Sequence, residues 1–102
     1  MPKTLKQLQA MMVKQLKRRG FYPNDECECM LRIGEEVGEV MEAIREKQPK
    51  EDLSHEMVDV VWNVLRLAEL KKIDLEKAFI EKWEKNEKRP LPKKPRGISS
   101  NN

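Results

Sequence analysis

Four stretches of this sequence repeat apolar residues at intervals of three and four positions, which is the spacing of one face of an α-helix. Residues that end or start helices separate them. Gly20 closes the first stretch, Asn24 or Asp25 caps the second, Pro49 precedes the third and Asp74 caps the fourth. The predicted helices span about residues 4–19, 25–47, 51–71 and 74–88.

The composition favours helices over strands, because charged residues make up 38% of the 102 residues and aromatic residues only 5%. Four helices with short connections in a chain of this length predict one all-α domain, a helical bundle. We expect this domain to span residues 1–89. Residues 90–102, PLPKKPRGISSNN, lack periodicity and are rich in proline and lysine, which predicts a flexible C-terminal tail.

The sequence gives no support to two classes of protein. No run approaches the roughly eighteen apolar residues of a membrane span, and the N-terminus lacks the apolar segment of a signal peptide, so we expect a cytoplasmic protein. The net charge of +3 is small and does not suggest nucleic-acid binding. Cys27 and Cys29 are too close together for an ordinary disulfide and lack the second ligand pair of a zinc site, so we expect reduced thiols.

The third predicted helix carries apolar residues around more than half of its circumference, among them Met57, Val61, Trp62 and Leu65. One small bundle cannot bury that much apolar surface from one side. A second copy of the chain would cover the remaining face, so we expect a dimer.

Polar residues interrupt this apolar surface along one narrow stripe, which contains Glu56, Asp59 and Asn63 at helical spacing. On the second predicted helix, Glu36 and Glu39 project beside the apolar line. A short connection makes the two helices antiparallel neighbours, so these four carboxylates can face one another. Carboxylates that converge in a partly desolvated place repel one another unless a cation neutralises them. The pattern therefore predicts a Mg²⁺ site.

The fourth predicted helix continues its apolar line into Lys82, Asn86 and Arg89. Either the helix leaves the core at that point, or these donors are directed at an anion. Lysine, arginine and asparagine are side chains that bind phosphate oxygens. Donors close to a metal-binding acidic group would suit a polyphosphate.

Three spaced elements in these helices resemble the signature of the MazG-like all-α nucleoside triphosphate pyrophosphohydrolases. The family's E-E-x-x-E is matched at residues 35–39, its E-x-x-D at 56–59 and its K-x-x-x-N-x-x-R-P at 82–90. The resemblance implies that Mg²⁺, or Mn²⁺ as a substitute, binds to a set of four carboxylates: Glu36, Glu39, Glu56 and Asp59. It also implies that Glu35 and Glu36 are catalytic, with Glu35 assisting a second metal ion or the attacking water.

The same resemblance implies that Lys82, Asn86 and Arg89 contact the substrate phosphates and that Asn63 contacts the sugar or a phosphate. The implied reaction cleaves a nucleoside triphosphate between its α and β phosphates, which releases a monophosphate and pyrophosphate. A role in clearing aberrant nucleotides is implied as well. Members of the family assemble as dimers or dimers of dimers, so a homodimer or homotetramer is expected.

Two alternatives remain open at the level of sequence. Phosphoribosyl-ATP pyrophosphatase, an enzyme of histidine synthesis, has a similar acidic signature and a similar length. A non-enzymatic helical dimer that acts as an interaction or regulatory module would also account for the apolar surface. We interpret His55 as a surface or interface residue and Trp62 and Trp83 as core residues, and the sequence does not indicate a base or sugar preference.

Overall fold

The computed structural model describes residues 3–91, and this part of the chain folds into four α-helices without strands. Their bounds are α1 Leu5–Arg19, α2 Glu26–Arg45, α3 Lys50–Leu70 and α4 Leu75–Lys88. The predicted all-α helical bundle is confirmed, and each helix begins and ends within two residues of its predicted bounds. Most of the predicted tail, from residue 92 onward, lies outside the described residues.

Side-chain caps start three of the helices. Thr4 and Gln7 form a capping box at α1, in which the Thr4 hydroxyl accepts from the Gln7 amide at 3.1 Å. The Asp25 carboxylate accepts from a backbone N–H of α2 at 2.9 Å, and the Asp74 carboxylate does the same in α4 at 3.1 Å. These bonds satisfy N–H groups that a helix start would leave without a partner.

The first three helices end in the same way, with one residue in the left-handed conformation. At the end of α1 this residue is Gly20, with φ of 79°. At the ends of α2 and α3 it is Lys47, with φ of 53°, and Lys72, with φ of 59°. In each case the following amide bonds back five residues, for example from Gln48 to the Ala43 carbonyl at 3.0 Å. The left-handed turn at Lys47 ends α2 two residues before the predicted bound.

Two packing units share the core. Helices α2 and α3, joined by residues 46–49, form a closely packed hairpin around small buried side chains: Cys29, Ala43 and Ala68. Helix α1 packs against α3 through Met12, Leu16 and Leu65, with Trp62 and Leu75 partly buried beside them. Small residues let α2 and α3 approach closely, and this approach determines which of their polar side chains meet.

Helix α4 joins this bundle at its first turn and has no buried residue. The Lys6 backbone amide donates to the Glu76 carboxylate at 3.2 Å, which ties α4 to α1. Phe79 is 69% exposed and Trp83 is 58% exposed, so the interpretation of Trp83 as a core residue is wrong. The bundle covers only the first turn of α4 and leaves the rest of its apolar side uncovered. Among the described residues, no helix is both long and apolar enough to span a membrane.

Candidate functional site

Three carboxylates from α2 and α3 meet beside the hairpin core. Glu36, Glu56 and Asp59 each offer one oxygen, and these oxygens all lie within 4.8 Å of one another. Glu56 and Asp59 are three residues apart on α3 and therefore share one face of that helix. Close packing of α2 brings Glu36 to the same face. Glu36 and Glu56 are partly buried, whereas Asp59 is exposed.

Electrostatic repulsion is concentrated on Glu36. Partial burial raises the pKa of its carboxyl group, and the nearby charges of Asp59, Glu56, Glu39 and Glu35 raise it further, in that order. A carboxylate whose pKa is raised by its neighbours is destabilised in its charged form. A bound cation would reverse that effect.

Glu39 and Glu35 lie outside the group of three. Both are exposed, and both act on Glu36 through their charge. Glu35 is also within 3.9 Å of the Arg32 guanidinium. The structure therefore brings together three of the four carboxylates that the sequence predicted as metal ligands, with Glu39 at the margin.

The donor set suits a hard divalent cation. Carboxylate oxygens are the ligands that Mg²⁺ prefers, and a Mg²⁺ site in proteins commonly uses a few carboxylates and completes its shell with water or phosphate oxygens. Histidine nitrogen and cysteine sulfur, the ligands that favour zinc, are absent from the group of three.

A cavity of about 280 Å³ opens beside the acidic group, and Glu36 forms part of its wall. Its wall combines apolar rings with charged and amide side chains. The lining residues are Gln15, Leu16, Arg19, Phe21, Glu28, Arg32, Glu36, Trp62, Asn63 and Arg66. A pocket with apolar walls and a few convergent polar groups is the usual form of a small-molecule site. The acidic group and this cavity together form the candidate site.

One hydrogen-bonded network fixes the polar part of this wall. The Asn63 amide nitrogen donates to the Asp59 carbonyl at 2.8 Å, and its oxygen accepts from Arg66 Nη1 at 3.1 Å. Arg66 Nη2 donates to the two carboxylate oxygens of Glu28 at 3.4 and 3.3 Å. Asn63 is buried, and the Arg66 side chain is 11% exposed. The network connects α2 to α3 next to the acidic group.

The loop between α1 and α2 is anchored to the end of α3. The Tyr22 hydroxyl donates to the Glu69 carboxylate at 2.8 Å, and Lys72 donates to the same hydroxyl at 3.4 Å. The Lys17 ammonium lies 5.1 Å from the centre of the Tyr22 ring. These contacts hold the neighbouring Phe21, which is 61% exposed, at the edge of the cavity.

The donors predicted on α4 are not near this site in the single chain. Lys82, Asn86 and Arg89 are exposed, and they belong neither to the acidic group nor to the cavity wall. Helix α4 packs on α1, whereas the carboxylates lie on α2 and α3. Of the four predicted substrate-binding residues, only Asn63 lines the cavity.

Sequence reasoning missed Arg66 and Glu28 as residues of the site. A signal for Arg66 existed, since it follows Asn63 by one helical turn on the polar side of α3. Glu28 precedes Glu36 by about two turns on α2, on the same face. Their pairing across 38 positions of sequence depends on how the two helices pack, and no local pattern contains that information.

Comparison with known families gives one match. A family model described as the MazG nucleotide pyrophosphohydrolase domain matches residues 25–91, which is more than half of the chain. Searches of curated proteins and of solved structures find no match. The matched region contains the acidic group and the whole of α4.

Proposed function

The chain belongs to the MazG nucleotide pyrophosphohydrolase family, and we propose that it is a Mg²⁺-dependent enzyme that acts on nucleoside triphosphates. It cleaves its substrate between the α and β phosphates and releases a nucleoside monophosphate and pyrophosphate. The observation that carries this proposal is the convergence of Glu36, Glu56 and Asp59 within 4.8 Å beside a cavity. Clearance of unwanted nucleotides is the physiological role that fits such a reaction.

Glu36, Glu56 and Asp59 would hold the cation, and Glu39 would complete the set from the margin. The raised pKa of Glu36 supports this fit, because clustered carboxylates gain most from a cation that neutralises them. Bound Mg²⁺ would supply charge neutralisation for phosphate oxygens and Lewis-acid activation of water.

The protein's own residues would orient the reactants. Glu35 is exposed at the edge of the acidic group, where its carboxylate can accept a proton from an attacking water or align it. Glu36 belongs both to the acidic group and to the cavity wall, so as a ligand of the cation it would orient the α phosphate relative to the part of the nucleotide that enters the cavity. No covalent intermediate on the protein is required.

Lys82, Asn86 and Arg89 would stabilise the charge that develops on pyrophosphate as it leaves. Because α4 does not place them near the acidic group of its own chain, we propose that they act across a homodimer or a dimer of dimers. Uncovered apolar side chains on α3 and α4 support assembly, since Val58, Val61 and Trp83 are each more than half exposed. A groove of about 570 Å³ between α1 and α3 adds further apolar surface.

The test is product analysis by chromatography with a panel of nucleoside triphosphates, in Mg²⁺ and in EDTA. We expect monophosphate and pyrophosphate in Mg²⁺ alone, and a loss of at least about 100-fold in kcat/KM for Glu56→Gln. Glu81→Gln, a matched change on the exposed face of α4, is the control and should retain activity. Light scattering on the same samples measures the oligomeric state.

Two results would redirect this assignment. Turnover of phosphoribosyl-ATP with none of any triphosphate would identify the enzyme of histidine synthesis instead. No turnover of any nucleotide, together with a melting temperature that Mg²⁺ does not change, would favour a non-enzymatic helical module.

A further inference from the structure

Three hydrogen-bonded side chains form one side of the cavity beside the acidic group: Asn63, Arg66 and Glu28. The Asn63 amide nitrogen donates to the Asp59 carbonyl, and the Asn63 amide oxygen accepts from Arg66. Both carboxylate oxygens of Glu28 accept from Arg66. These bonds hold the Arg66 guanidinium in a fixed position in the cavity wall.

Hydrogen-bond donors remain available on Arg66. A guanidinium carries five N–H groups and no acceptor. Two of its nitrogens are bonded to Asn63 and Glu28, whereas Nε is buried and has no hydrogen-bond partner in the protein. Among described residues 3–91, Nε of Arg66 is the one buried side-chain nitrogen or oxygen without such a partner. A buried donor in this state gains free energy when a ligand supplies an acceptor.

Apolar surfaces complete the cavity. Of its lining residues, Leu16 is buried, Trp62 is partly buried, and Phe21 is exposed on the anchored loop. Flat rings stack well on aromatic side chains. A volume of about 280 Å³ can take a nucleobase but is small for a whole nucleoside triphosphate. Glu36 connects this volume to the acidic group, where the phosphates would lie.

We propose that the cavity receives the nucleobase and that Arg66 selects bases that present a carbonyl oxygen to it. Uracil, thymine and guanine have such a carbonyl at the position where cytosine and adenine have an amino group. The inference rests on the proposed function and deepens it, because it names the substrate class and the residue that determines specificity.

The selectivity follows from how Arg66 is held. Glu28 and Asn63 bind its guanidinium from two sides, and the group carries N–H donors and no acceptor. A carbonyl oxygen satisfies these donors, whereas an exocyclic amino group brings its own N–H groups against them. A site built on such a hydrogen bond discriminates against an analogue that has an amino group in place of the carbonyl at that position. We expect a preference of at least about tenfold for uracil over cytosine.

Binding of nucleoside monophosphates tests the selection without requiring turnover. The probes are dUMP and dCMP, which have the same size and differ in the base edge, titrated by calorimetry into the full chain in the presence of Mg²⁺. We expect dUMP to bind at least about tenfold more tightly than dCMP. Arg66→Gln, whose amide offers both a donor and an acceptor, should reduce this ratio to less than about threefold. Circular dichroism checks that each variant is folded.

Two further variants separate selection from other effects. Arg45→Gln removes an exposed arginine of α2 far from the cavity wall and should leave the ratio unchanged. Phe21→Leu removes a stacking surface and should weaken the binding of dUMP and of dCMP by a similar factor. The ratio of the two affinities should therefore stay the same. If Arg66→Gln does not fold, Arg66→Lys provides the second test, because it keeps the charge and loses the planar fork.

Equal binding of dUMP and dCMP to the wild-type protein would overturn the proposal. An Arg66→Gln variant that weakens both probes by the same factor would overturn it too, since Arg66 would then support the fold or the phosphate alone. These outcomes are distinct from a failure of the proposed function. Selective binding of dUMP without hydrolysis of any nucleoside triphosphate would retain the base site and reject the enzyme.

Discussion

Replacing Glu36 with glutamine should stabilise the protein in the absence of metal and remove its response to Mg²⁺. The change keeps the size of the side chain and deletes one of three charges whose oxygens lie within 4.8 Å of one another. In a water-like dielectric, two unit charges at this distance repel by about 0.9 kcal/mol. Glu36 has two such neighbours, so the gain in the free energy of unfolding should be about 1–2 kcal/mol.

The dependence on pH has a defined sign. The pKa of Glu36 in the folded protein is raised above its ordinary value of 4.5, first by partial burial and then by the neighbouring carboxylates. Between these two pKa values the folded state binds the proton more tightly than the unfolded state does. The free energy of unfolding therefore falls as pH rises from 4.5 through the folded pKa. The Glu36→Gln variant does not lose stability in this way. Its free energy of unfolding should therefore exceed that of the wild type only slightly at pH 4 and by the full amount at pH 7.

Thermal unfolding followed by circular dichroism measures both effects. For a domain of this size, 1 kcal/mol corresponds to about 4–8 °C in Tm, so Glu36→Gln should melt at least about 4 °C higher in EDTA at pH 7. In millimolar Mg²⁺ the wild type should gain stability by binding the ion, and the variant should gain little. Glu42→Gln, on the same helix beside Arg45, is the control and should change Tm by little in either buffer.

The electrostatic reasoning would be refuted if Glu36→Gln lowered Tm in EDTA at pH 7. Such a result would mean that Glu36 stabilises the fold through a contact, and that this contact outweighs the repulsion from the neighbouring carboxylates. A rise in Tm with an unchanged response to Mg²⁺ would support the repulsion but would show that Glu36 is not a metal ligand.

Three other substitutions test the fold and the loop. Lys47→Gly should raise the free energy of unfolding by up to about 1 kcal/mol in urea titrations, because φ of 53° is strained for lysine and free for glycine; a loss of stability would contradict this. Tyr22→Phe removes the hydrogen bond to Glu69 and should lower the free energy of unfolding by about 1 kcal/mol. Because the change loosens the loop that carries Phe21, it should also raise KM more than it lowers kcat. Leu65 is 5% exposed, and Leu65→Ala should lower the free energy of unfolding by about 2–4 kcal/mol in urea titrations. A decrease below about 1 kcal/mol would show that α1 does not pack on Leu65.

The sequence by itself determined the helices and most of their bounds. Thr4, Gly20, Asp25 and Asp74 act within one or two turns of the chain, so their effect can be predicted without a fold. The period of the helix also placed Glu56 and Asp59 on one face of α3. The predicted end of α2 lies two residues beyond the observed one, because the left-handed residue that ends the helix is Lys47, which carries no sequence signal for that conformation.

Only the tertiary structure decided which side chains meet. Periodicity places residues around one helix but leaves open how two helices are rotated against each other. The close approach of α2 and α3 over Cys29, Ala43 and Ala68 sets that rotation, and it brings Glu36 into the group of three while Glu39 stays at the margin. The same packing pairs Arg66 with Glu28, residues whose partnership depends on long-range contacts.

The exposure of α4 was equally beyond local prediction. Its apolar residues have helical spacing, which indicates an apolar face but not what covers that face. In the single chain the bundle covers only the first turn, so Phe79 and Trp83 remain exposed. Local signals thus fixed the elements and their polar stripes, whereas the rotation and docking of helices, which arise from side-chain packing between distant residues, fixed the cavity and the acidic group.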